Sequence, residues 1–76
     1  MANYLSELSL ALRKARKQTG DTQAMAAARV GVSRESYRKL EAGEPGVAVS
    51  SWIRVIELYG RPENLQFLFS KSLFDD

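Results

Sequence analysis

Residues 22–43, TQAMAAARVGVSRESYRKLEAG, decide the fold. Thr22 is a good N-cap, and the eight residues after it are mostly strong helix formers. Their small side chains, Ala24, Ala26, Ala27 and Ala28, allow a second helix to approach closely. Gly31 breaks this helix, Val32 is an apolar residue in the turn, and Ser33 caps the next helix. That helix runs from Arg34 to about Ala42 and stops at Gly43. Tyr37 and Leu40, three apart, face inward; Arg34 with Arg38, and Glu35 with Lys39, are four apart and face out as two charged ridges.

Toward the N-terminus, Leu5, Leu8, Leu12 and Ala15 recur at helical spacing and predict a first amphipathic helix, capped by Asn3 and ended by Gly20. Beyond the central segment, GEPGV at 43–47 reads as a loop. A fourth helix comes next over about 48–59, with Val49, Trp52, Ile53, Ile56 and Tyr59 as its apolar face and Gly60 as its end. Pro62 suits the first position of a fifth helix carrying Leu65, Leu68 and Phe69. No linker, repeat or strand pattern interrupts the chain. The expectation is an all-α, compact domain of five helices, four of them within 1–60 and the fifth in a C-terminal helix and tail over 61–76.

At 76 residues the chain sits near the lower limit for one self-sufficient core, so help from a partner subunit is reasonable. It holds no Cys and no His, which removes disulfides, thiolate or imidazole metal sites and the usual general bases. A cofactor-free, metal-free, non-enzymatic protein is expected. No apolar run is long enough to span a bilayer and no secretory pattern opens the chain, so the expected location is cytoplasmic, without a membrane partner. The net charge of +2 conceals an asymmetry: the segment 13–39 carries +6 and the remainder −4. Such a basic segment points to a polyanion, and nucleic acid is the commonest.

Two short helices joined by a tight glycine turn, the second capped by Ser and armed with Arg and Lys, form a helix-turn-helix arrangement. Here the segment resembles the lambda-repressor-like, or Xre, family. A Thr-Gln pair opens its helix two, Gly-Val-Ser makes the turn, and a Glu closes helix three before Gly, over roughly 8–60. The resemblance implies double-stranded DNA as partner. The helix beginning at Ser33 would enter the major groove, with Arg34, Glu35, Arg38 and Lys39 against base edges and Arg38 nearest the backbone. It further implies that Gln23, at the start of helix two, binds phosphate, as Thr22, Ser33 and Ser36 would beside the two helix N-termini. Arg16 and Glu41 match positions where the family has a buried salt bridge. Asp21 departs from the family, which there usually has an apolar residue, and Ala26 stands where it usually has Leu.

Lys17, with Arg13 and Lys14, would add to the field or touch phosphates, and Ser50, Ser51 and Arg54 lie near the start of helix four within reach of the backbone. Glu35 has a plainer reading, pairing with Lys39 one turn on. Tyr37 and Trp52 read as core. Leu65, Leu68, Phe69, Leu73 and Phe74 would either build a homodimer interface or fold back on helices one and four. The resulting expectation is a dimeric repressor on a palindromic operator. The alternative is an antitoxin that binds a toxin protein as well as its own promoter.

Overall fold

The computed structural model describes residues 3–69. Four α-helices succeed one another: α1 (Tyr4–Thr19), α2 (Gln23–Val30), α3 (Arg34–Ala42) and α4 (Val49–Tyr59). A 3-10 turn, Pro62–Phe67, comes after them. Local chemistry sets the boundaries. The side chains of Asn3, Thr22 and Ser33 accept from the backbone amides of Ser6, Met25 and Ser36, each satisfying an otherwise orphaned donor. Left-handed glycines close the first three helices.

The core is small. Leu12 of α1, Ala26, Ala27 and Val30 of α2, Tyr37 and Leu40 of α3, and Val55 of α4 make one buried cluster, flanked by Val32, Val47, Trp52, Leu58 and Tyr59. Ala26 and Ala27 are fully enclosed, which lets α2 lie close to α3; Ala28, grouped with them from sequence, faces solvent.

Three apolar faces differ from the periodicity reading. On α1 the inward ridge is Ser9, Leu12 and Arg16, while Leu8 is 41% exposed. The helix is turned because it faces the polar end of α3: Ser9 donates its hydroxyl to the Leu40 carbonyl at 2.7 Å. On α4 the buried residue is Val55; Val49, expected inside, is 74% exposed in the first turn. The fifth helix is of the 3-10 type; Leu65 within it is half-buried, while Leu68 and Phe69, just past its end, face solvent. Leu73 and Phe74 lie outside the described residues.

The end of α3 is pressed against α1. A methyl group built on Gly43, whose φ is +69°, would sit 3.2 Å from Ser9 Oγ, so both the conformation and the contact favour glycine there. Across α1 and α4 runs a shallow apolar groove of about 200 Å³, lined by residues such as Leu8, Ala11, Trp52 and Ile56.

Candidate nucleic-acid interface

The α2–turn–α3 unit is held from beneath by a brace. Arg16 lies on the buried ridge of α1 and is 8% exposed; Glu41, near the end of α3, is 3% exposed. The guanidinium grips the carboxylate with two bonds, Nε to Oε2 at 2.5 Å and Nη2 to Oε1 at 3.0 Å, and its Nη1 donates to the Asp21 carbonyl at 2.8 Å. Such a fork satisfies two planar groups at once, the geometry in which a buried ion pair is best compensated. Burial works to raise the Glu41 carboxyl, but the bond from Arg16 and its other polar neighbours outweigh it and hold it below the ordinary carboxylate range. The Tyr37 hydroxyl is buried nearby without a formed hydrogen bond, and burial pushes that phenol far above its usual value.

Gln23, expected on phosphate, donates its Nε2 to Glu41 Oε1 at 3.1 Å. The brace therefore reaches the first turn of α2, and Gln23 is pre-oriented by the buried carboxylate. Thr22 and Ser33 serve as helix caps; Ser33 Oγ also donates to Ser36 Oγ at 2.9 Å.

Asp21, a departure from the family pattern, is buried and does polar work. Its carboxylate accepts from Tyr59 of α4 at 2.7 Å and from Arg29 of α2 at 2.6 Å. The Tyr59 bond, then Arg29, holds that carboxyl below its ordinary value; burial and the Asp21 bond push the Tyr59 phenol up to about 12. An apolar residue would pack here; the acid instead ties α2 to the end of α4. Sequence reasoning missed this, because the two partners lie 8 and 38 positions from Asp21.

On the outer face, Arg34, Glu35, Arg38 and Lys39 are all exposed. They are not equivalent. Glu35 pairs with Arg38, three positions on, at 2.5 Å and not with Lys39. Arg38 is also held by Glu44 from the turn after α3, Nη2 to Oε2 at 3.0 Å. Several other cations are engaged: Arg13 approaches the Glu41 carboxylate at 3.6 Å, Arg16 is enclosed, and Arg29 is on Asp21. Within the basic segment 13–39, Lys14, Lys17, Arg34 and Lys39 are left without an ion pair among the described residues.

Arg54, expected on the backbone, lies over the α2–α3 turn and donates Nη1 to the Gly31 carbonyl at 3.2 Å. Ser50 is exposed in the first turn of α4, whose N-terminus carries no side-chain cap. Beside it a polar hollow of about 210 Å³ lies between α3 and the α3–α4 loop, lined by Ser36, Lys39, Glu44 and Ser51 among others. Among the described residues no cluster of His, Cys, Asp or Glu is arranged to hold a metal, and no helix is long and apolar enough to cross a membrane.

The model of one protein family, described as a helix-turn-helix domain, matches residues 7–66. Neither curated proteins nor solved structures gave a significant match. The family match runs from within α1 to almost the end of the final 3-10 turn, and so takes in the whole α2–turn–α3 unit. The chain therefore belongs to the helix-turn-helix family of the Xre, or lambda-repressor-like, type, whose members are DNA-binding regulators and typically not enzymes.

Proposed function

We propose that the protein is a sequence-specific repressor that binds a palindromic operator as a two-fold dimer, α3 of each copy entering the major groove. The observation that carries this reading is the two-sidedness of α3. Tyr37 and Leu40 are wholly buried on one side, while Arg34 and Lys39 stand exposed on the other without an ionic partner among the described residues. Arg34 comes directly after the Ser33 cap, at the end of the helix that enters a groove first in this arrangement. It is the strongest candidate for a two-bond contact with guanine O6 and N7. Lys39 is the second base contact, and Lys17, Gln23 and the residues at the start of α4 attend to phosphates.

A dimer fits the apolar end of the molecule. Phe67 and Leu68 are largely exposed and Phe69 is 97% exposed, adjacent surface that a second copy would cover. The same surface suits the alternative of a toxin partner, which would appear as a tight heteromeric complex with the product of a neighbouring gene. Repression is the simplest action of a chain in which α3 and its supports account for most of the structure.

Fluorescence anisotropy with duplex DNA across a salt series tests the reading. Arg34→Ala should reduce preference for the operator at one base position by a factor corresponding to about 1–3 kcal/mol. Gln23→Ala should weaken all duplexes alike. Binding to all duplexes with the same affinity and no salt dependence overturns the proposal.

A further inference from the structure

Arg38 is the one cation of the recognition helix that the chain itself holds among the described residues. Glu35 accepts from its Nε at 2.5 Å and from Nη2 at 3.5 Å, and Glu44 accepts from Nη2 at 3.0 Å. Glu35 is one helical turn away, an ordinary surface pairing. Glu44 is not: it lies beyond the end of the helix, and the backbone delivers it. The Gly43 amide donates back to Leu40 and the Glu44 amide to Lys39, at 3.3 and 3.2 Å, the double bond pattern that closes a helix with a left-handed glycine. Pro45 then restricts the residue before it. The sequence Gly-Glu-Pro thus fixes the backbone of Glu44 beside the reading face, so few torsions need freeze to form the contact.

The consequence lies in which guanidinium edges remain available. A two-bond contact with guanine uses either Nη1 with Nη2 or Nε with Nη2. Both pairs include Nη2, whose hydrogens are committed to Glu44 and Glu35. As held, Arg38 offers only the Nη1 corner, which makes no hydrogen bond among the described residues. Its charge is also neutralised toward phosphate, since two carboxylates face it.

Building on the DNA-binding reading above, we infer that Glu44 is a specificity-determining residue, which restrains Arg38 and so suppresses sequence-independent binding by the recognition helix. Arg34 and Lys39 then carry readout, and Arg38 contributes to DNA only where the gain exceeds that from its two carboxylates. Its guanidinium is held in the charged form first by Glu35 and next by Glu44, in keeping with that arrangement.

The test uses the full chain, a random-sequence duplex and a selected operator duplex, with anisotropy measured over a range of salt. Glu44→Gln keeps the shape and removes the charge. Released from Glu44 and left with only the exposed one-turn pairing to Glu35, Arg38 should add up to about one phosphate contact, steepening the salt slope by as much as roughly 0.9 and tightening random-duplex binding by up to roughly eightfold at 0.1 M salt. The operator-to-random affinity ratio should fall. In an Arg38→Gln background, Glu44→Gln removes only the carboxylate's own repulsion of phosphate, so the gain in random-duplex affinity should be clearly smaller. An unchanged or weaker random-duplex affinity, or an equal gain in the Arg38→Gln background, overturns the inference. Wild-type protein that binds DNA while Glu44→Gln behaves identically overturns the inference alone; wild-type protein that binds no duplex overturns the functional reading with it.

Discussion

Replacing Glu41 by Gln perturbs the structure where the DNA-binding unit is held together. The substitution keeps the side chain's size but leaves Arg16, 8% exposed, with its charge facing a neutral amide. The guanidinium keeps its bond to the Asp21 carbonyl and can keep one bond to the amide oxygen, but the two-bond fork and the compensating charge are lost. Removing one partner of a buried pair costs about 3–5 kcal/mol, because the remaining charge stays desolvated. A domain of 76 residues has about 4–11 kcal/mol in all, so the variant is left marginal.

At about 4–8 °C per kcal/mol for a domain this size, a loss of about 3 kcal/mol lowers Tm by about 12–24 °C in a circular-dichroism melt. The double substitution Arg16→Met with Glu41→Leu removes both charges and should recover most of the loss. The pH dependence has a definite sign. Glu41 is held below its ordinary value when folded, so its contribution is present above about pH 4.3 and disappears as pH falls below that through the folded value. Glu41→Gln should flatten that acid limb. A variant that melts within about two or three degrees of the wild type, well short of the expected drop, would refute the view that this pair joins α1 to α3.

Other outcomes arise from the same geometry. Gly43→Ala should lower stability by about 1–2 kcal/mol in urea titration, since it strains a positive φ and crowds Ser9. Ser33→Ala should cost about 1 kcal/mol, from the lost cap of α3. Above about pH 10, where unfolded phenols ionise, stability should fall through about 12 as Tyr59 is forced to lose its proton, with Tyr37 contributing in the same direction. Tyr59→Phe should shallow that alkaline limb, measured by melts at stepped pH. Sedimentation at micromolar concentration should give a mass near twice the 8.5 kDa chain, and Phe69→Glu should return it to the monomer.

The helices were legible because their ends are chemically marked. Asn3, Thr22 and Ser33 cap, and Gly20, Gly31 and Gly43 terminate, so α1, α2 and α3 fall where the sequence places them. Faces were harder to read. Hydrophobic periodicity tracks apolar side chains, but the inner ridge of α1 includes Ser9 and Arg16, which are inside because α3 offers them a carbonyl and a carboxylate. The Arg16–Glu41 pairing came from family resemblance; nothing in its spacing of 25 residues announces it.

The α3 charges were legible only in part. Spacing along a helix identifies Glu35 as a neighbour of both Arg38 and Lys39, but cannot choose between them. The partner that decides the matter, Glu44, is delivered by the helix-ending turn and not by helical period. At the C-terminal end, Pro62 does start a helical turn, but residues 62–67 close as a 3-10 helix, with Leu68 and Phe69 outside.

Whether α3 reads sequence through Arg34 is decided by selecting bound fragments from random duplex DNA with the intact chain. The expected result is an enriched palindrome whose half-site centres lie about 34–36 Å apart, on one face of the duplex. Guanine should stand at the position lost from the motif when the selection is repeated with Arg34→Ala. No enrichment over the starting pool, or a motif unchanged by Arg34→Ala and Lys39→Ala together, would contradict it.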